Sequence, residues 1–272
     1  MTEFSVTFLG TADASLNPRA PTATCLVKAA GTRIMIDAGI GAHRQLRRAG
    51  IKPRDIDIML VTHWHLDHYL GLPEILVLSR RKAPLMLFGP GPSLIARLYV
   101  HGLLRVAHVY SGAVTENFIK DCGGLRLEAV PTSHGDPSLG WLIVEKAENR
   151  RLVYSGDTEP ADGVLAAARG ADLLIHEATF PDAQLPRAKK SRHSTPSQAA
   201  DIARRAGAGA LALTHVRPGS ITPQLLAEAQ LIFPQVIVPS LLDRIFIEPA
   251  PASEREASFG WGRVRLEPPA LP

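Results

Sequence analysis

One seven-residue run constrains this chain more than any other part of it: Thr62-His63-Trp64-His65-Leu66-Asp67-His68. It follows directly on an apolar stretch, Asp57 to Val61, that reads as a strand. Three imidazoles and a carboxylate therefore leave one strand end together. A loop at that place can turn them toward a single point. Imidazole and carboxylate at this density suit zinc, or less specifically manganese or iron. A lone histidine is more often packed or solvated than a ligand, and a cluster this tight reverses that expectation. Trp64, between His63 and His65, cannot coordinate and is read as packing.

Further candidates recur where other strands end. His134 sits in Thr132-Ser133-His134-Gly135, after a strand expected over Leu125 to Val130. Asp157 sits in Tyr154-Ser155-Gly156-Asp157-Thr158, after a strand over Arg151 to Ser155. His215 sits in Leu213-Thr214-His215, after a strand over Ala210 to Leu213. Ligands delivered by several loops at one sheet edge form a cleft, the usual place for a site in an α/β protein. Of the ten histidines, His43, His101 and His108 lack ligand spacing and receive no role.

The rest of the pattern also alternates between strand and helix. Phe4 to Gly10 reads as a strand, and Thr24 to Ala29 with Arg33 to Ile36 as a hairpin. Helices are expected over Gly41 to Ala49, Leu70 to Ser79, Pro92 to Leu104 and Pro160 to Ala168. Thr195-Pro196-Ser197-Gln198 starts another, with an N-cap Thr, a Pro in the first turn and a capping Gln, and it runs to Ala206. Thr222-Pro223 opens one more, to about Phe233. Strands are expected over Leu85 to Phe88, Gly140 to Glu145, Asp172 to His176 and Arg244 to Ile247. The expected class is α/β (α+β), with more antiparallel hairpins than a doubly wound sheet has. Residues 1–248 read as one domain, and the proline-rich residues 249–272 as a tail laid over it or partly disordered.

Composition removes other classes. With 46% hydrophobic and 21% charged residues the chain is not a disordered one. No apolar run approaches the ~20 residues of a membrane helix, and the N-terminus lacks a signal-peptide pattern, so a cytoplasmic location is expected. Two cysteines, Cys25 and Cys122, exclude a disulfide framework and a cysteine-rich zinc site. The net charge of +4 is milder than a dedicated nucleic-acid binder carries.

The order His63-x-His65-x-Asp67-His68, then His134, Asp157 and His215, resembles the metallo-β-lactamase superfamily over nearly the whole chain to about Ile247. That resemblance implies a four-layer αββα sandwich of two mixed sheets with helices outside, and two metal ions, usually zinc. His63, His65 and His134 would hold one ion, Asp67, His68 and His215 the other, and Asp157 would bridge them. Within the superfamily the chain looks most like the ribonuclease Z branch. The carriers are Phe8-Leu9-Gly10-Thr11 with Pro18-Arg19 and Thr22, then Leu174-Ile175-His176-Glu177-Ala178-Thr179-Phe180, then His193-Ser194-Thr195 running into Gln198-Ala199-Ala200.

A water shared by two divalent ions loses its proton near neutral pH and becomes a nucleophile. The ions also draw charge from a phosphoryl oxygen in the transition state. A leaving alkoxide still needs a proton. His193, just before a helix N-terminus, is placed to supply it, and Glu177 to orient His193 and keep it protonated. Asp67 and His176 complete the catalytic candidates, with His176 equally readable as a buried, hydrogen-bonded histidine. The basic run Arg187, Lys189, Lys190, Arg192 reads either as a phosphate-steering patch or as a solvated loop. Lys190, Arg192 and Arg217 are the candidate substrate cations.

Two departures matter. Ribonuclease Z enzymes that process transfer RNA carry a long RNA-clasping arm between the ligands matching His134 and Asp157. Here that interval holds two strands and a turn. After His215 the chain reads Val216-Arg217-Pro218-Gly219 where the branch has a Ser-x-Arg-Tyr-like run. The expected function is therefore a dinuclear zinc phosphodiesterase acting on a small or cyclic phosphodiester or nucleotide. The alternatives are ribonuclease Z-type tRNA 3′ processing, or a sulfatase, thioesterase or lactonase using the same metals. A non-catalytic RNA-binding subunit is the reading of a different class, disfavoured because all seven ligands are present. RNA is the less favoured ligand, no membrane partner is expected, and the resemblance allows a homodimer without pointing to an interface.

Overall fold

The computed structural model describes residues 2–15, 20–79, 84–91, 109–135, 137–249 and 263–269. The helix expected over Pro92 to Leu104, along with His101, His108 and Pro18-Arg19, lies outside the described residues. In chain order the elements are β1 (Phe4–Gly10), β2 (Thr24–Ala29), β3 (Thr32–Ile36), α1 (Ala42–Arg48), β4 (Ile58–Leu60), α2 (Leu66–Tyr69), α3 (Leu72–Leu78), β5 (Leu85–Pro90), β6 (Val109–Val114) and β7 (Ile119–Cys122). They continue with β8 (Leu125–Pro131), β9 (Leu139–Glu145), β10 (Arg150–Tyr154), α4 (Asp162–Ala167), β11 (Leu173–Glu177), α5 (Leu185–Ser191), α6 (Pro196–Ala206), β12 (Ala210–Thr214), α7 (Pro223–Ile232), β13 (Val236–Ile237), β14 (Arg244–Glu248) and β15 (Arg263–Glu267).

The strands form two mixed sheets, in the orders β15-β14-β1-β2-β3-β4-β5-β6 and β13-β12-β11-β10-β9-β8-β7. In the first, β3, β4, β5 and β6 run parallel and the rest antiparallel. In the second, β10 to β13 are parallel, and β7 to β10 antiparallel. Side-chain alternation divides each strand between two faces. Val6, Phe8, Val27, Ile34, Trp141, Ile143 and Ile175 meet in one core between the sheets. Leu142, Val144, Val153 and Leu174 turn outward beneath α4, α6 and α7. Met35 and Met59 pack with Leu46 of α1 and Leu72, Ile75 and Leu76 of α3 on the far side of the first sheet. Helix, sheet, sheet and helix thus stack as the resemblance implied. Being covered on both faces, β9 reads as a continuous apolar run, which is why alternation is faint there. No helix among the described residues is long and apolar enough to cross a membrane.

The structure differs from the sequence reading in several places, among them strands β6 and β13, which the sequence reading did not include. The helix expected over Leu70 to Ser79 is α3, Leu72–Leu78, and a separate short helix that the sequence did not announce, α2 over Leu66–Tyr69, precedes it. Pro73 has no N–H for the carbonyl of Tyr69, so the helix restarts at Leu72. The basic run Arg187 to Lys190, read as patch or loop, forms helix α5. Edge strand β7, Ile119-Lys120-Asp121-Cys122, is exposed and carries no amphipathic signal. Within the residues read as a tail, Arg263–Glu267 pairs antiparallel with β14 from Arg244↔Glu267 to Glu248↔Arg263, and Val264 packs against the intersheet core.

A buried ion pair within the second sheet also reaches across to the first. Arg150 Nε lies 3.3 Å from Glu145 Oε2, and its Nη1 and Nη2 donate to the carbonyls of Ile247 and Thr2 at 2.8 Å. Both side chains are almost wholly buried. Removing one partner strands the other charge, so Arg150→Met is expected to lower unfolding free energy by about 3–5 kcal/mol. Urea denaturation measures this, and a loss below about 1 kcal/mol, the range of exposed pairs, would contradict it.

Candidate metal centre

Asp37 follows β3, His63 follows β4, His134 follows β8, Asp157 follows β10, Glu177 ends β11 and His215 follows β12. Carboxyl ends of strands from both sheets converge on one cleft, where the interrupted backbone leaves loops free to present side chains. Two of these positions have left-handed backbone, Asp37 at φ 56° and His215 at φ 51°. Such positions cost about 1–3 kcal/mol each and persist where the surroundings dictate them. Gly156, at φ 61°, makes the turn that presents Asp157, and a Cβ there would lie 3.0 Å from the Leu139 carbonyl oxygen and 3.1 Å from Thr62 Cβ.

The ligand atoms predicted from sequence come together in two groups sharing Asp157. Donor atoms of His63, His65, His134 and Asp157 lie within 4.8 Å of one another, as do those of Asp67, His68 and His215. His63 Nε2 is 2.9 Å from His65 Nδ1, and His134 Nε2 is 3.3 Å from the same atom. On the other side His215 Nε2 is 3.1 Å from Asp67 Oδ2, and His68 Nε2 is 3.4 Å from it. Asp157 reaches both groups: Oδ2 is 3.7 Å from His63 Nε2 and 3.4 Å from His215 Nε2, and Oδ1 is 3.4 Å from His68 Nε2.

The polar atoms of these residues fit divalent cations. His68 Nε2 and Asp157 Oδ1 are buried without a hydrogen-bond partner, a costly state that a cation between them would relieve. The opposite ring nitrogens are held from behind, as metal-binding imidazoles usually are. His68 Nδ1 donates to Asp37 Oδ2 at 2.7 Å, and His134 Nδ1 donates to the Arg192 carbonyl at 3.0 Å. Thr62 Oγ1 donates to Asp37 Oδ2 at 2.9 Å and so meets His63 Nδ1, 3.1 Å away, as an acceptor. Burial opposes a charged His215, but the carboxylates of Asp157 and Asp67 outweigh it and carry the ring up to about 9. Burial alone would raise Asp157, yet the imidazoles of His215, His68 and His63 hold it well below the usual carboxylate range. Cation binding would displace the imidazole protons.

Beside the cluster lies the expected proton-donor pair. His193 Nδ1 is 2.7 Å from Glu177 Oε1 and 4.0 Å from Asp157 Oδ2. Burial lowers the His193 value, but the Glu177 hydrogen bond and charge prevail and raise it. The ring stacks on His215 at 5.6 Å and meets Phe180 at 5.8 Å. Glu177 also accepts from the backbone N–H groups of Thr158 and Thr179, at 2.8 and 3.2 Å.

His176 does not join them. It shares the strand parity of Leu174, facing the outer helical layer, and its Nδ1 donates to the Glu177 carbonyl at 2.8 Å. The buried, hydrogen-bonded reading fits it, and the catalytic one has no contact behind it. The candidate substrate cations separate likewise. Arg192 Nη1 donates to the His134 carbonyl at 3.1 Å, and Arg217 Nε lies 3.4 Å from Asp13 Oδ2, whereas Lys190 is exposed on α5. Trp64 is buried and donates Nε1–H to the Pro90 carbonyl at 2.9 Å, a packing role. Asp37 was missed from sequence. Its signal is modest: an apolar strand, Arg33 to Ile36, ending in Asp-Ala-Gly before the ligand run.

A sandwich with this cleft between its sheet edges defines a metal-dependent hydrolase. The Beta-lactamase superfamily domain matches residues 32–216, and the chain belongs to that superfamily, in its ribonuclease Z-like branch. Ribonuclease Z of Bradyrhizobium diazoefficiens is 30% identical, the match covering 90% of this chain and 100% of that protein. The short form of human tRNase Z is 30% identical with a TM-score of 0.69, covering 78% of this chain and 92% of that one. The metallo-β-lactamase fold protein YhfI of Bacillus subtilis shares the fold at a TM-score of 0.76 and 22% identity, covering 86% and 95%.

Proposed function

We propose that this chain is a dinuclear phosphodiesterase, with zinc as the first candidate metal and manganese or iron behind it. The observation that carries the reading is the Glu177–His193 pair set against Asp157. A departing ribose alkoxide needs such an acid, whereas the thiolate that a thioesterase releases does not. His63, His65 and His134 with Asp157 would hold one cation, and Asp67, His68 and His215 with Asp157 the other. When bound, the cations supply Lewis acidity toward the phosphoryl oxygens and a nucleophile from water at neutral pH. Asp37, Thr62 and the Arg192 carbonyl hold the ligand imidazoles in the required tautomers. Glu177 fixes Nδ1 of His193 as a donor, which makes Nε2 the nitrogen that gives a proton to the leaving oxygen. Lys190 is the cation offered to an outer phosphate. Arg192 and Arg217 act through His134 and Asp13.

Short connections favour a small or cyclic phosphodiester. Pro131↔Leu139 closes β8 onto β9 and Glu145↔Arg150 closes β9 onto β10, leaving no residues between His134 and Asp157 for an RNA-clasping arm. The alignment with the Bradyrhizobium protein spans 301 positions, more than the 272 residues of this chain, so that relative carries segments missing here. Transfer RNA 3′ processing is the second reading, favoured by relatives named ribonuclease Z at 30% identity. Side-by-side turnover of a nucleoside 2′,3′-cyclic phosphate, a sulfate ester, a lactone and a precursor tRNA decides between them.

Metal removal tests the shared part. Dialysis against a chelator is expected to abolish hydrolysis of bis(p-nitrophenyl) phosphate and to lower Tm, because a cation that binds only the folded state stabilises it. Zinc or manganese should restore both. Full turnover by a folded protein shown to be free of metal would overturn the proposal.

A further inference from the structure

A single hydroxyl lies between the ligand cluster and the proton-donor pair. Thr179 follows β11 and is 5% exposed. Its Oγ1 is 2.6 Å from Glu177 Oε2, 2.8 Å from His215 Nδ1 and 3.3 Å from His193 Nδ1. The hydroxyl has one proton to give and lone pairs to accept with. Glu177 is already approached by two backbone N–H groups, Thr158 on Oε1 and Thr179 on Oε2, whose polarity cannot reverse. The carboxylate is therefore used as an acceptor, and the Thr179 proton goes to it. Only lone pairs are left for the two imidazoles. His215 Nδ1 must then carry a proton, which leaves Nε2 as the nitrogen able to give its proton up to a cation, and Nε2 is the atom beside Asp67 and Asp157. His193 Nδ1 is held to the same polarity by Glu177 Oε1 and by Thr179 Oγ1.

We propose that Thr179 is a positioning residue whose hydroxyl sets the tautomers of His215 and His193 together, so that cation binding by Asp67, His68 and His215 and proton donation by His193 depend on one group. The inference rests on the dinuclear phosphodiesterase reading. It differs from the support given by Asp37 and Arg192, each of which holds a ligand alone; Thr179 holds a ligand and the acid pair at once.

The test compares wild type with Thr179→Val and Thr179→Ser. Zinc affinity is measured on metal-depleted protein by competition with a chromogenic chelator. Turnover is measured on bis(p-nitrophenyl) phosphate and on a 2′,3′-cyclic nucleotide. In Thr179→Val one of the two zinc ions should bind about tenfold to a hundredfold more weakly, the range seen when a group supporting a metal ligand is lost. Cyclic-nucleotide turnover at saturating zinc should fall more than turnover of the activated ester. Thr179→Ser keeps the hydroxyl and should behave as wild type in both assays. If the valine protein does not fold, Thr179→Ala, which places no methyl against Glu177, gives the same comparison. Unchanged zinc binding in the valine or alanine protein overturns the assignment, as does a serine variant as impaired as the valine one, since the role would then be packing. A wild-type protein that binds no zinc overturns the functional reading instead, so the two failures are distinguishable.

Discussion

Asp67→Ala should lower kcat/KM on bis(p-nitrophenyl) phosphate by about a thousandfold or more, some 4 kcal/mol of lost transition-state stabilisation. The magnitude follows from the place of its carboxylate. Oδ2 lies 3.1 Å from His215 Nε2 and 3.4 Å from His68 Nε2, so its removal leaves that group two imidazoles and a share of Asp157. The backbone at this position is held independently: Thr22 Oγ1 donates to the Asp67 carbonyl at 2.6 Å, a bond that the substitution does not touch. Folding should therefore survive while metal content falls. Elemental analysis beside kinetics checks both halves. Robust turnover, or full metal content with wild-type kinetics, would sink the ligand assignment.

The second large effect depends on the leaving group. His193→Ala should cost about a hundredfold to ten-thousandfold on a substrate that expels a ribose alkoxide, the usual worth of a positioned general acid. On bis(p-nitrophenyl) phosphate, whose phenolate departs without a proton, the loss should be far smaller. Glu177→Gln should show the same asymmetry more weakly, because the amide still meets His193 Nδ1 but without the charge that raises it. Equal losses on the two substrates would reassign His193 to structure or to metal binding, since its donor atom also comes within 4.8 Å of Asp157 and His215.

How far the site was legible follows from where each interaction lies along the chain. The candidate ligands could be read because His63, His65, His134, Asp157 and His215 sit within a few residues of a strand end, with Asp67 and His68 in the same run as His63, and strands announce themselves by local apolar pattern. The cap of α6 was equally local: Thr195 and Gln198 bond each other three residues apart. Asp37, Thr179 and the Arg192 carbonyl act on residues 31, 36 and 58 positions away, and no short-range pattern records such pairings. Arg192 and Arg217 illustrate the converse. Both look available as charges in the sequence, and both turn out to be engaged with His134 and Asp13. Edge strand β15 was hidden in a proline-rich stretch because pairing with β14, not amphipathicity, makes it a strand.

The sequence by itself determined the chemistry on offer: a histidine-aspartate ligand set, a histidine and a glutamate suited to proton transfer, and a chain with no residues for an arm between His134 and Asp157. Tertiary structure decided how those groups are used. Folding brings strand ends from two sheets to one edge, and only there does a buried nitrogen acquire a direction. Whether His176 or His193 meets the cleft, which nitrogen of His215 faces Asp67 and Asp157, and which arginines are already engaged are set by hydrogen bonds across the sandwich, because a ring's polarity depends on its neighbour in space and not on its neighbour in sequence.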